Sequence, residues 1–343
     1  MLELSDPKDA FAELEAYLAD EDFWSRPAAV ADLFLGYGLS EPLRRVLTPA
    51  PREPCPLPLL ACRIRQSAEP PLAATYSVGA EWERTWDDAR YAEAIAAARA
   101  AIARGDVYQV NLVQHLSAPF AGDPAGLVRA LAPLRPLHPQ PLVGVGWAIV
   151  SASPERFLSR RGDRLVTMPI KGTRPAGEDV EGAKDFAEHV MIVDLERNDL
   201  ARVCEPGTVH WPELMAQDEL AGVTHLVSTV EGRLRNGVTL GEILAATFPG
   251  GSVTGAPKIA AVDLIAALEP VGRGASMGAL GTLRPNGDFD LALTIRTFAV
   301  AADRVHLWVG GGIVWDSEAE AEIEESWVKA RPLLAAVGGT VTA

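Results

Sequence analysis

Apolar residues recur at helical spacing in five stretches of the chain, and alternate or run together between them. Phe11, Leu14 and Leu18 follow Asp6-Pro7, predicting a helix capped by Asp6 with Pro7 at its first position. Tyr91, Ile95, Ala98 and Ile102 predict a second helix from about Asp87, closed by Gly105 just past its last turn. A third covers about 180–200. A fourth carries Ile259, Val262, Ile265 and Leu268 on one face, behind the glycine-rich stretch Gly250 to Pro257, with Pro257 in its first turn. The last opens at Ser317, where Glu320 completes a capping box. Val107–Val113, Leu142–Ser151, Arg156–Ser159, Leu165–Ile170, Asp288–Ala301 and Val305–Val314 read as strands, and the proline-rich segment Pro42 to Pro71 as irregular or extended. Strands come in runs and do not alternate strictly with helices, which favours α+β over a doubly wound sheet.

Composition narrows the class. The chain has 343 residues, with 31 Lys+Arg against 46 Asp+Glu for a net charge of −15. Hydrophobic residues make up 48% and charged residues 22%, enough to bury a sizeable core. So acidic a chain is not expected to bind nucleic acid, which needs clustered basic residues. Cys55, Cys62 and Cys204 have no CxxC spacing and are too few for a disulfide framework. Without a basic n-region, an apolar leader or an ~18-residue apolar run, the expected location is the cytoplasm, away from membranes.

Two glycine patterns fail as nucleotide motifs. Gly250 to Gly255 has the spacing of a phosphate-binding loop, but Ala256 stands where the lysine is required. Gly144-Val145-Gly146 has Ile149 at the third glycine position of a dinucleotide fingerprint. What survives is a glycine-rich turn feeding a helix, whose free N–H groups suit a carboxylate. On the last helix Glu322, Glu325 and Lys329 fall on one face, a pattern read either as a solvated acidic face or as a seat for a hard cation and an anion. Glu188 lies among Phe186, Val190, Met191 and Val193, where a carboxylate needs a partner: a salt bridge, for which Arg197 is the candidate, or a metal. Lys171 ends a strand at Gly172-Thr173. It is either a surface lysine or an amine desolvated enough to act as a nucleophile.

These segments occur in one order. Pro169-Ile170-Lys171-Gly172-Thr173, Met191 to Leu195 with Arg197-Asn198-Asp199, Phe248 to Lys258, Ile295-Arg296-Thr297 and Gly310 to Val314 together resemble the chorismate-utilising enzymes. The resemblance runs from roughly Trp82 to the C-terminus, about three-quarters of the chain. It implies an α+β fold with large antiparallel sheets in a layered core and helices packed outside. It also implies a catalytic domain over 81–343, with a shortened N-terminal region, 1–80, packed on it. The implied ligands are Mg²⁺ and chorismate. Matched to the family's motifs, Glu188, Glu325 and Glu322 bind the metal. Arg296, Lys329, Thr173, Gly172 and Gly311 bind substrate. Glu155 protonates the departing 4-hydroxyl, and His225 is an active-site histidine without an assigned role.

Lys171 decides the member. This position looks like the nucleophilic lysine of aminodeoxychorismate synthase component I, where anthranilate synthases usually carry alanine. Gln109 stands where isochorismate and salicylate synthases place a water-activating lysine, which argues against water as the nucleophile. The implied product is 4-amino-4-deoxychorismate, on the route to 4-aminobenzoate and folate, with a separate lyase acting next. None of the three cysteines sits in a glutaminase elbow, and the resemblance implies a separate glutamine amidotransferase subunit that supplies ammonia. The alternatives are an anthranilate synthase component and a non-catalytic chorismate-binding homologue, the latter suggested by Ser276 replacing the family's aromatic. The short N-terminal region gives no expectation of a tryptophan site.

Overall fold

The structure, a computed structural model, describes residues 1–66, 74–175, 183–220 and 223–339. Its helices are α1 (Ala10–Asp20), α2 (Asp88–Ala103), α3 (Ala125–Leu131), α4 (Ala183–Ala201), α5 (Leu240–Thr247), α6 (Lys258–Leu268) and α7 (Ala319–Ala336). Among the described residues the strands form two sheets, and every pairing is antiparallel. In the ten-stranded sheet Leu2–Leu4, Leu60–Arg65 and Val30–Leu35 lead into Ala279–Leu283, Phe289–Leu293, Arg156–Arg161 and Arg164–Met168. It ends on Val223–Arg233, flanked by Ile170–Pro175 and His210–Leu220. The eight-stranded sheet is built on Gln109–Gly122, paired with Arg304–Ile313 and continuing through Thr297–Ala301 to Trp147–Ser151. This is the α+β architecture expected from the motifs. Strands from residues 2–65 belong to the larger sheet, with Val30–Leu35 hydrogen-bonded directly to Ala279–Leu283.

Alternation along the eight-stranded sheet explains its two covers. Ile149 and Ala299 point into the main core, while Ala148, Val150, Phe298 and Val300 point the other way, against Trp327, Ala330, Leu333 and Leu334 of α7 and Leu127 of α3. The main core fills with Phe34, Phe157, Phe248, Phe289 and Trp308, together with the inner faces of α1, α2, α5 and α6.

Several local expectations are corrected. The segment Asp288–Ala301 is not one strand. Phe289–Leu293 lies in the larger sheet and Thr297–Ala301 in the smaller, with Arg296 at φ +50° between them. Leu142–Ser151 is a hairpin that turns at Val145-Gly146, because Gly146 takes a positive φ. Helix α1 starts at Ala10 with Asp9 as its cap, beyond Asp6-Pro7, and Pro257 caps α6 from outside its first turn. No capping box forms at Ser317. Its hydroxyl donates to Glu322 Oε1 at 2.6 Å and Glu318 caps α7. A capping box forms instead at the start of α5, between Thr239 and Glu242.

Candidate active site

The break at Arg296 is where the site is built. Trp147–Ser151 and Thr297–Ala301 pair in one sheet, Arg156–Arg161 and Phe289–Leu293 in the other. The same two chain segments therefore cross between the sheets side by side. Ala152 N donates to Arg296 O and Leu293 N to Glu155 O, each at 2.9 Å, and lock the crossing. Arg296 and Glu155, far apart in the chain, thus become neighbours, and their charges act on each other.

Glu155 is 5% exposed. Its Oε1 accepts from Ser252 Oγ at 2.8 Å and from Ile170 N at 3.4 Å. Burial raises its pKa above the ordinary carboxylate range, against the lowering pull of Ser252, Lys171 and Arg296. Lys171 lies on Ile170–Pro175, which continues past Pro169 along the same strand partner as Arg164–Met168. Its Nζ donates to Ser252 O at 3.5 Å. Desolvation lowers its pKa, opposed by the carboxylates of Glu188 and Glu155 and assisted by the Lys329 charge. Ser252 thus stands between the two, its hydroxyl on the acid and its carbonyl facing the amine. The glycine-rich turn does not cap a helix here; it carries Ser252 into the site.

Helix α7 forms a second wall. Lys329 Nζ pairs with Glu325 Oε1 at 2.7 Å and donates to Gly310 O at 2.9 Å. A methyl group on Gly311 would stand 3.4 Å from Glu325 Oε1, 3.5 Å from Glu322 Oε2 and 3.5 Å from Lys329 Nζ, so all three converge over that glycine. The two faces of the site are coupled, since Lys171 senses both Glu325 and Lys329. Carboxylate oxygens are the donors that Mg²⁺ takes, so the chemistry of Glu188, Glu322 and Glu325 suits it. Among the described residues, no three acidic, histidine or cysteine side chains gather closely enough to hold an ion.

The structure thus brings together Lys171, Glu155 and Arg296 at the crossing, and Glu322, Glu325, Lys329 and Gly311 at α7. Glu188 acts on Lys171 from α4. Thr173 pairs with His225 in the sheet, but the Thr173 and His225 side chains, and the surroundings of Gly172, lie outside the described residues. Arg197 pairs with Asp194 at 2.7 Å and covers the Trp211 ring. Ser276 is buried and donates to Thr294 O at 3.3 Å. Gln109 is fully buried against Gly312, with neither polar atom of its amide paired to protein.

Sequence reasoning missed Ser252 as a site residue. It also missed His189, whose Nε2 meets Ser228 Oγ at 2.6 Å and whose pKa burial lowers to about 4. Ser252 had a signal, the turn itself, but its role depends on what faces it. His189 adjoins Glu188 and had none.

A family model described as chorismate binding enzyme matches residues 52–335. Anthranilate synthase component 1 of Thermus thermophilus is 46% identical over 72% of this chain and 56% of its own length. Aminodeoxychorismate synthase component 1 of Klebsiella aerogenes is 40% identical over 77% of this chain and 61% of its own. The chain thus spans little more than half the length of these relatives. Among solved structures, anthranilate synthase component I from Streptococcus pneumoniae superposes with a TM-score of 0.79 at 26% identity, covering 91% of this chain and 84% of that one.

Proposed function

Because the chain belongs to the chorismate binding enzyme family, we propose that it converts chorismate and ammonia to 4-amino-4-deoxychorismate, as an aminodeoxychorismate synthase component I. The observation that carries this reading is an amine, Lys171, and a protonatable acid, Glu155, held on the two sides of one residue, Ser252. The neutral Lys171 amine attacks C2 of the ring. Both conjugated ring double bonds shift, C1=C2 to C1=C6 and C5=C6 to C4=C5, and the C4 hydroxyl departs with the Glu155 proton as water. Ammonia then adds at C4, both double bonds shift back and the C2–N bond breaks, releasing the lysine amine. A covalent intermediate splits one hard displacement into two easier ones. Arg296 and Lys329 would grip the substrate carboxylates. Glu188, Glu322 and Glu325 would hold Mg²⁺, which supplies neutralisation of substrate charge when bound.

A glutamine amidotransferase subunit would deliver the ammonia, and ammonium salts should replace it in solution. The anthranilate synthase reading has its own support, since relatives bearing either name match at similar identity. One experiment separates the two. Chorismate, Mg²⁺ and ammonium chloride are incubated with the chain, and products are resolved by mass and fluorescence. 4-Amino-4-deoxychorismate is expected, with a chorismate-derived adduct on Lys171. Fluorescent anthranilate formed without an added lyase would overturn the reading.

A further inference from the structure

The turn that carries Ser252 rests on a second carboxyl group, one the reaction above does not use. Glu196 on α4 accepts the Gly251 N–H through Oε1 at 3.0 Å and is 3% exposed. A charge so buried needs a counter-ion, yet the nearby cation is engaged elsewhere. Lys258, the first residue of α6, gives its Nζ to Asp199 Oδ2 at 2.5 Å and to Thr247 O at 2.8 Å. Burial first, then the Asp199 charge, push the Glu196 carboxyl up to about 8. A neutral carboxyl keeps its carbonyl lone pairs and can still hold an N–H.

The far end of the turn has separate anchors. Thr254 Oγ1 donates to Gly250 O at 2.8 Å, and the buried Arg273 donates to Val253 O at 2.9 Å. The near end lies flat on α4. A Cβ on Gly251 would sit 2.6 Å from Leu195 Cδ2 and 3.0 Å from Glu196 Oε1, so the backbone comes as close as the helix permits.

We propose that Glu196 is a positioning residue: by accepting the Gly251 N–H, it fixes Ser252 and thereby sets the Lys171 amine and the Glu155 acid against each other. The proposal rests on the roles given to Lys171 and Glu155 above. The reason for a carboxyl here, with no apolar filler, is that Ser252 serves both reacting groups. A shift of this turn of about 1 Å would misalign both together, an error that costs up to about 100-fold in rate.

The test compares Glu196→Gln, Glu196→Ala and Glu196→Asp, following chorismate consumption whatever the product, together with thermal unfolding and circular dichroism. Gln keeps a neutral acceptor of the same length, and its kcat should stay within about threefold of wild type. Ala should lower kcat about 10- to 100-fold while the KM for chorismate changes by less than about threefold. Asp, one methylene shorter, should fall between them and serves if the Ala chain does not fold. The proposal is overturned if Gln loses as much as Ala, since charge would then matter and not the acceptor. It is equally overturned if Ala or Asp keeps wild-type kcat and loses only stability, or if the wild-type chain consumes no chorismate. Absence of a Lys171 adduct in a wild type that does turn over would sink the Lys171 reading and overturn the proposal with it, whereas an adduct together with equal losses in Gln and Ala would overturn the proposal alone.

Discussion

Lys171 is held between influences of opposite sign. Desolvation favours its neutral amine, while Glu188 and Glu155 favour the ammonium form. Glu155 is pushed toward its protonated form by the same burial. A reaction needing both groups uncharged should therefore show a bell-shaped pH dependence. Rate rises as Lys171 loses its proton and falls as Glu155 loses its own. Glu155→Gln should lower kcat by about 10²- to 10⁴-fold and abolish the fall at high pH, read from kcat measured across the pH range. Lys171→Ala should remove the chorismate adduct from the intact mass and the 4-amino product with it; product formed at the wild-type rate would exclude Lys171 as nucleophile. At this scale the sequence supplied the residue types and their resemblance to a family. It could not supply Ser252's double contact, because that depends on a turn meeting two groups from elsewhere in the chain.

Three consecutive glycines on Arg304–Ile313 show how an element divides its work. A side chain on Gly310 would run into the Leu112 carbonyl oxygen of the neighbouring strand, so that glycine is fixed by backbone spacing. Gly311 opens onto the acidic face of α7, and Gly312 onto the Gln109 amide. Gly310→Ala should cost stability, on the order of 1–3 kcal/mol for forced overpacking, seen as a lowered midpoint in urea unfolding. Gly311→Val should leave that midpoint within about 1 kcal/mol. It should nonetheless raise the KM for chorismate, because its branches fill the space between Glu322, Glu325 and Lys329. Equal effects of the two substitutions on stability would contradict this division. Helical periodicity was legible because each helix buries one stripe, but helix starts were not. Ser317 has the spacing of a capping box, yet its hydroxyl goes to Glu322 because that carboxylate is buried and needs a donor. The run Asp288–Ala301 read as one strand because both halves alternate correctly. Only the larger fold shows that they belong to different sheets.

Across the whole molecule, buried titratable groups set opposing pH limits on stability. His115, His189 and His306 are held neutral by burial, with pKa values lowered to about 3, about 4 and about 4. The unfolded chain, with histidines near 6.5, binds protons that the fold cannot, so stability falls as pH drops from about 6.5 toward about 4. Glu196, raised to about 8, acts in the other direction and costs stability as pH rises from about 4.5 through about 8. The two windows overlap between about pH 4.5 and 6.5, where three histidines outweigh one carboxyl, so urea unfolding should give a maximum near about pH 6.5. Replacing His306 by Asn should flatten the acid side; an unchanged slope between pH 6.5 and 4 would show that His306 carries none of it.

By itself the sequence determined the fold class, the family and the residue types of the candidate site, because periodicity and collinear motifs are local properties of a chain. It also fixed a net charge of −15, which says nothing about where an anion binds. The tertiary structure decided which charges meet. Two segments crossing between the sheets bring Glu155 to Arg296, a glycine turn brings Ser252 between Glu155 and Lys171, and a glycine strand leaves room for three charged side chains of α7. Those contacts join residues far apart in the chain, and their strength depends on burial. Desolvation, the largest influence on both Lys171 and Glu155, arises only when the fold removes water from around them.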